Sequence, residues 1–334
     1  MNDEIIHIIE KLAQIASIRG DSYREQAFRN AILSIRKINW SIRTSLDKVK
    51  TEKLEGVGKN IRRKLIEYAT TGQVSELIAL ENSSDIIAYR ELSKIAGVGP
   101  KTIAEWLRKG IVNLVTLRRE LAAGSITLTN MQKYGLMFYE DLNSRIPRDE
   151  VYVLGSHVCG YVNKLCVVNA SNTIQNTVLC EIVGSYRREL SDSGDIDIIT
   201  TGPYSLRDLA REISHDPNFI DVFSLGAERF TFIYRSPASG KVRQIDVLNL
   251  PREQYWPGLL YFTGSWEFNT AMRGTAKSRG YLLNQRGLFR LRVTARGQMQ
   301  TPIKIQSERD IFDTIGIKYV PPRDRTGSDK IMLV

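Results

Sequence analysis

The sequence predicts a multidomain chain, all-α up to about residue 148 and α+β beyond it. Three observations lead there. The first ninety residues show helical periodicity, a Gly-x-Gly turn opening a helix occurs twice, and runs rich in Val, Ile and Phe begin only after residue 148. At 334 residues there is chain enough for two or three domains.

In order along the chain, Ile5, Ile8, Ile9, Leu12, Ile15 and Ala16 recur at helical spacing, and so do Phe28, Ala31, Ile32 and Ile35. Gly20-Asp21-Ser22 breaks the pattern and offers an N-cap for the second helix. Leu54-Glu-Gly56-Val-Gly58-Lys-Asn-Ile61 then returns as Ile95-Ala-Gly97-Val-Gly99-Pro-Lys-Thr-Ile103, each opening an amphipathic helix. A helical stretch over 149–166 and a polar loop, Asn169–Asn176, lead to strands expected at 178–183, 195–200, 230–235 and 242–249, with a helix at 205–214. The last eighty residues are mixed, with a short helix near 308–315.

Composition narrows the function. Hydrophobic residues make up 42% and charged residues 25%, ordinary values that indicate neither disorder nor a membrane span. The start lacks a secretory pattern, so an intracellular chain is expected. Cys159, Cys166 and Cys180 match neither a disulfide framework nor a zinc spacing, and three reduced thiols are expected. The three histidines are scattered, which argues against histidine catalysis. The net charge of +10 suits a polyanion partner, although it is spread along the chain with no basic tail.

A hydrophobic-x-Gly-hydrophobic-Gly turn has a physical use. Glycine lets backbone approach a ligand, and successive N–H groups at a helix start cradle phosphate oxygens. Gly56, Gly58, Gly97 and Gly99, with Lys59 and Lys101 beside them, therefore resemble helix-hairpin-helix motifs that grip DNA backbone without reading sequence. Two ordinary glycine loops between core helices are the alternative. Lys64, in Arg62-Arg63-Lys64, has two readings: a solvated basic face touching phosphate, or an amine activated toward a sugar aldehyde.

The strongest signal is Val183-Gly184-Ser185-Tyr-Arg187-Arg188, followed by Ser193-Gly194-Asp195-Ile-Asp197. Asp195 and Asp197, two apart on an expected strand, would face one side, a costly pairing unless a cation holds it. Asp246 in Val242-Arg-Gln-Ile-Asp-Val-Leu is a third acid on an apolar strand. An all-oxygen donor set selects a hard ion such as Mg²⁺, and three aspartates on adjacent strands suit two-metal phosphoryl transfer. Gly184 and Ser185 would offer a backbone N–H and a hydroxyl to phosphate, and Arg188 a bidentate cation.

These motifs, with Tyr261-Phe262-Thr263-Gly264-Ser265 after them, resemble the family X DNA polymerases, whose members include DNA polymerases beta and lambda. The resemblance runs from the N-terminal helices to Ser307-Glu-Arg-Asp-Ile-Phe-Asp. It implies a helix-hairpin-helix region followed by an α+β nucleotidyltransferase palm and a thumb-like α+β subdomain. The implied divisions are a lyase-like domain (1–88), a fingers-like subdomain (89–147), a palm (148–250) and a nucleotide-selecting thumb-like subdomain (251–334).

By position, it implies that Asp195, Asp197 and Asp246 hold two Mg²⁺ ions, with Mn²⁺ a substitute, and that Asp246 activates the primer 3′-hydroxyl. Arg145, Ser185, Arg188, Ser193 and Gly194 fall where the triphosphate binds, and Gly184 and Gly264 also belong to the implied nucleotide site. Tyr261 and Phe262 fall at the sugar-discriminating step, Asn269 at the incoming nucleotide and Arg273 at the template strand. Lys64 falls on the Schiff-base lysine of a 5′-deoxyribose-phosphate lyase, with Arg24 at a basic position of that pocket. A monovalent cation at the hairpin turns, gapped or nicked duplex DNA and dNTPs as partners, a monomeric state, no membrane association and a nuclear or other DNA-containing compartment complete what it implies.

Some positions depart from the pattern. Gln244 stands where polymerase beta carries an arginine, Asn60 and Gln73 replace basic residues of the lyase pocket, and Trp266 places a large aromatic where it could stack on a base. The resulting expectation is template-directed gap filling in base-excision type repair, with a lyase step at the 5′ end. Untemplated terminal transfer and a non-catalytic DNA-binding scaffold are the rival readings.

Overall fold

The apolar periodicity of the N-terminal third is satisfied by helices packing on one another. The computed structural model describes residues 2–169, 178–294 and 297–333, and it divides into two compact units, Met1–Met137 and Phe138–Val334.

The first unit holds α1 (Asp3–Ile18), α2 (Ser22–Lys37), α3 (Leu46–Thr51), α4 (Lys59–Thr71), α5 (Ser75–Glu81), α6 (Ser84–Leu92), α7 (Pro100–Arg108), α8 (Leu114–Ala122) and α9 (Asn130–Met137). Asp21 caps α2 as expected, its carboxylate accepting from the Arg24 N–H. Ile5, Ile9, Leu12, Phe28, Ile32 and Ile35 meet Leu65 and Tyr68 of α4 in one core, so the faces read from periodicity are the buried faces.

The second unit begins with α10 (Tyr139–Asn143), β1 (Ile146–Pro147) and α11 (Arg148–Asn169). The rest of the polar stretch Asn169–Asn176 lies outside the described residues. Next come β2 (Leu179–Ile182), α12 (Gly184–Arg187), β3 (Asp192–Ser193), β4 (Ile196–Thr201), α13 (Leu206–Ile213), β5 (Phe219–Leu225), β6 (Arg229–Arg235) and β7 (Val242–Asn249). The chain continues through α14 (Tyr255–Thr263), α15 (Trp266–Ser278), β8 (Tyr281–Asn284), β9 (Gly287–Thr294), β10 (Gly297–Ile303) and α16 (Glu308–Ile315).

The main sheet runs β2-β4-β7-β6-β5, and its central pair, β4 and β7, is parallel. Val158, Val162, Leu209 and Ile213 of α11 and α13 cover one face, packing on Ile196, Ile198, Phe230 and Val247. β7 is buried along nearly its whole length, even at Arg243. That guanidinium is neutralised by Glu150 of α11 at 2.9 and 3.1 Å and also donates to the Asp141 and Ser144 carbonyls. The strand bearing Asp246 is thus pinned to α10 and α11. A smaller sheet, β10-β9-β8, lies with α15 and α16 around Leu283, Leu288, Ile311 and Phe312.

Two expectations are corrected. Asp195 is not on the strand: it occupies the bend one residue ahead of β4, and only Asp197 belongs to the ladder. The cysteines are not three reduced thiols either. Cys159 of α11 and Cys180 of β2 form a disulfide with their Cα atoms 5.7 Å apart, leaving Cys166 free and buried. Their separation of 21 residues gave no hint, because packing of α11 on β2 brings them together. Among the described residues, no helix is long and apolar enough to cross a membrane.

Candidate active site

The parallel pairing of β4 and β7 sets Asp197 directly opposite Asp246. Asp195 reaches the same point from the bend, and the three aspartates offer carboxylate oxygens all within 4.8 Å of one another. Asp195 is exposed, Asp197 half-buried and Asp246 buried. Burial, then the charges of Asp195 and Asp246, push the Asp197 carboxyl up to about 7. The surrounding protein and then Asp246 raise that of Asp195. Carboxyls crowded together in this way, with only oxygen donors among them, fit a hard divalent cation.

Asp246 is held on both oxygens. Arg229 of β6 donates through Nε at 3.2 Å to Oδ1 and pairs through Nη2 at 3.0 Å with Oδ2 as an ion pair. Thr231, its cross-strand neighbour, donates to Oδ1, and Gln244 Nε2 donates to Oδ2 at 3.0 Å. An arginine therefore supports this aspartate, but it comes from the adjacent strand rather than from position 244. Arg229 and Thr231 were not singled out from sequence, because only the β6–β7 register shows that they face Asp246.

Beside the carboxylates lies the turn from β2 into α12. Gly184 has φ +60°, and a Cβ there would sit 2.8 Å from Asp197 Oδ2, so the backbone of this turn lies against the Asp197 carboxylate. Ser185 Oγ donates to Ser193 Oγ at 2.7 Å. Gly194 lies against the Arg145 guanidinium, which donates to Asp192 Oδ1 through Nε at 3.0 Å and Nη2 at 2.6 Å. Arg145, Gly184, Ser185, Ser193 and Gly194 thus form one neighbourhood.

Arg188 Nη1 donates to the Thr263 carbonyl at 2.5 Å and borders Gly264, which precedes a cis peptide to Ser265. Burial lowers the Arg188 pKa, against the opposing charges of Glu267 and Asp197. Tyr261 carries the Arg273 guanidinium 4.6 Å from its ring centroid and accepts at its carbonyl from Asn269 Nδ2 at 2.7 Å, so these three residues form a second neighbourhood. Phe262 packs partly into the core around Val183 and Leu259, while Trp266 is 75% exposed.

Arg187 ties α12 to the C-terminal part of the unit. It donates to both oxygens of buried Glu308, at 3.0 and 3.1 Å, and Glu308 also accepts from buried Arg325 at 2.7 Å. Burial raises the Glu308 carboxyl, but Arg325 and Arg187 outweigh it and hold the group below the usual range.

In the first unit, both Gly-x-Gly turns adopt one geometry. Gly56 and Gly97 take φ +74° and +75°, Val57 N donates to the Leu54 carbonyl and Val98 N to that of Ile95, and Gly58 and Gly99 cap α4 and α7. Only the first glycine of each turn is left-handed. At the second, extended glycine nothing lies within 4 Å of an added Cβ, which leaves the helix start open to a ligand. Lys59 and Lys101 are exposed beside these openings.

Lys64 is not on a solvated face: it is 4% exposed. It lines a cavity of about 1310 Å³ together with Arg24, Gly56, Gly58, Lys59, Asn60 and Glu76. Its Nζ meets Glu76 at 2.6 Å, and Arg24 pairs with the same carboxylate. Glu76 carries no motif in the sequence and was not singled out there.

Family profiles match the chain in the order of these parts: a helix-hairpin-helix domain over 1–74, the fingers domain of DNA polymerase lambda over 90–143, the DNA polymerase beta palm over 145–252 and the DNA polymerase beta thumb over 258–326. The chain is 29% identical to DNA polymerase lambda of Arabidopsis thaliana, across 97% of this chain and 62% of that protein. It is 27% identical to DNA polymerase lambda of Rattus norvegicus, across 96% of this chain and 56% of the relative. With DNA-directed DNA/RNA polymerase mu of Homo sapiens the identity is 26%, across 97% of this chain and 69% of the relative. The chain therefore spans about six-tenths of the length of the two lambda polymerases. With four profiles in register and a carboxylate triad at the centre of the palm, the chain belongs to the family X DNA polymerases.

Proposed function

We propose that this chain is a template-directed, gap-filling DNA polymerase of base-excision type repair, adding dNMP to a primer 3′-hydroxyl. The observation that carries this reading is the Asp197–Asp246 pairing across parallel strands, with Asp195 and the Gly184 backbone beside it. Asp195, Asp197 and Asp246 would hold two Mg²⁺ ions, or Mn²⁺ in their place. When bound, such ions acidify an attacking hydroxyl and neutralise the charge developing on a transferring phosphoryl group.

The chain's own residues supply the remaining work. Gly184 N–H, Ser185, Ser193 and Gly194 line the side of the carboxylates where a triphosphate would lie, with Arg145 and Arg188 as its counter-charges. Tyr261, held by Asn269 and Arg273, presents bulk against a ribose 2′-hydroxyl, and Gly264 lets the chain pass close to Arg188. Arg229, Thr231 and Gln244 orient Asp246 so that its carboxylate is in place before the primer arrives.

The same reading divides the chain into a lyase-like domain, a fingers-like subdomain, a palm and a thumb-like subdomain. The helix starts at Gly58 and Gly99, each with its lysine and a monovalent cation site, would hold the backbone of gapped or nicked duplex DNA. Burial of Lys64 in a basic cavity supports a 5′-deoxyribose-phosphate lyase step. The working state would be a monomer in a DNA-containing compartment.

Primer extension on a duplex with a one-nucleotide gap, run beside an unpaired primer with Mg²⁺ and all four dNTPs, tests the reading. Templated filling of the gap is expected. Extension of the unpaired primer alone would make the chain a terminal transferase, and no extension of either would leave a DNA-binding scaffold.

A further inference from the structure

The Lys64 cavity holds an arrangement that the lyase reading does not by itself require. Lys64 on α4 is nearly enclosed, and its Nζ lies 2.6 Å from Glu76 Oε2 on α5. The other oxygen of Glu76 is taken by Arg24 Nη2 of α2. Arg63 and Glu67 lie on the same helix as Lys64, and Lys53, Glu55, Lys59 and Arg62 also line the cavity, but Glu67 Oε1 is occupied by the Ser75 N–H at 2.8 Å and the Ser75 hydroxyl at 2.5 Å. Among the described residues, Glu76 is thus the carboxylate that touches the amine. Burial raises the Glu76 carboxyl, yet the hydrogen bond and charge of Lys64, then those of Arg24, keep it below the usual range.

An ammonium cannot attack a carbonyl until a neighbouring group takes a proton from it. A base within hydrogen-bond reach of the nucleophile, oriented by a third group, is the constellation that performs this step, and Lys64, Glu76 and Arg24 form it. Resting on the lyase reading of this cavity, we propose that Glu76 is the acid–base partner of Lys64. Its Oε2 takes the proton that Nζ must shed, while Arg24 holds Oε1 in place.

The freed lone pair forms the C–N bond to C1′ of a 5′-deoxyribose-phosphate end, and the carbonyl π pair moves to oxygen. Two protons in turn pass from nitrogen to that oxygen by way of Glu76. Water leaves, the nitrogen lone pair closes the protonated imine, and Glu76 is again a carboxylate.

The test is the single-turnover rate of borohydride-trapped adduct on 5′-deoxyribose-phosphate DNA, measured against pH for the parent, Glu76→Gln, Glu76→Asp and Lys64→Ala. Binding of a non-reactive tetrahydrofuran-phosphate DNA and the melting temperature are followed for each. The parent is expected to trap. Glu76→Gln should trap about 100-fold more slowly near neutral pH, recovering as solvent base replaces the carboxylate at higher pH. Glu76→Asp should fall between them, and both variants should keep analogue binding.

Trapping by Glu76→Gln at the parental rate or faster would show that the carboxylate restrains the lysine and would overturn the proposal. So would a slow rate that runs parallel to the parent at every pH, or one that tracks lost analogue binding or lost melting temperature. A parent that forms no adduct, or an adduct undiminished in Lys64→Ala, would instead overturn the Lys64 lyase reading beneath it.

Discussion

Gly184→Ala adds one methyl group where backbone meets the candidate metal-binding carboxylate. Two costs follow. At φ +60° an L side chain loses about 1–2 kcal/mol in the left-handed region. The new Cβ would also lie 2.8 Å from Asp197 Oδ2, roughly half an ångström inside an ordinary carbon–oxygen contact of about 3.3 Å. The turn or the carboxylate must move by a similar amount. A misplacement of about 1 Å costs on the order of 100-fold in rate, so the half-ångström shift predicts a loss of roughly 10-fold in turnover. The backbone cost alone, at about 2–4 °C per kcal/mol for a unit of this size, predicts a melting temperature about 2–8 °C lower. Gly240→Ala is the control: its φ is +69°, but nothing lies within 4 Å of the added Cβ, so it should lower melting without touching turnover. Single-turnover filling of a one-nucleotide gap, measured beside thermal unfolding, checks both effects. If Gly184→Ala melts lower but fills the gap at the parental rate, the turn does not place Asp197 and the reasoning fails.

Three further outcomes follow. Glu308→Ala should leave the Arg187 and Arg325 guanidiniums without their shared carboxylate, at a cost of about 3–5 kcal/mol and a melting temperature roughly 6–20 °C lower, whereas an unchanged melting curve would show that the cluster contributes nothing net. Asp197, raised to about 7, keeps in the metal-free fold a proton that the unfolded chain sheds above its ordinary 3.8, so stability from this group falls as pH rises between those values. A divalent ion needs the carboxylate, so Mn²⁺ affinity followed by paramagnetic resonance should climb with pH and level off above about 7, and a flat profile would contradict this. Asp216 behaves in the opposite sense: burial raises its carboxyl, but the Asn218 N–H, His157, Tyr234 and Tyr161 draw it down to about 2. Its contribution is present above the unfolded value of 3.8 and is lost as pH falls toward about 2, so denaturant midpoints of Asp216→Asn should converge with the parent's in acid, and a gap that stays constant would refute the assignment.

Much of this was legible wherever local pattern and tertiary role coincide. The run 242–249 is a strand because Val, Ile and Leu are buried on both of its faces, and 308–315 is a helix whose capping box, Ser307 with Asp310, is visible in sequence. The elements not foreseen lack such signals. β5 carries Asp221 and Ser224 on a sheet edge, and β10 is built largely of Gly, Gln and Thr, so neither alternates cleanly. Asp195 falls outside β4 because the chain is still bending out of Ser193-Gly194, a boundary that residue spacing does not mark. The site divides in the same way. The aspartates and the Gly184-Ser185 turn sit within short motifs, whereas Arg229, Thr231, Glu76 and Glu308 act through partners 12 to 121 residues distant and emerge only from register and packing.

The central claim is that Asp246 belongs to the reacting centre and is not merely a buried acid satisfied by Arg229, Thr231 and Gln244. Asp246→Asn keeps the shape of the side chain and one of its two acceptor oxygens while removing its charge. Single-turnover filling of a one-nucleotide gap with Mg²⁺ should then fall at least about 1000-fold, as expected when charge stabilisation is lost at a phosphoryl-transfer centre, with the fold intact by thermal melting. Gap filling at the parental rate in a folded Asp246→Asn protein would contradict the account.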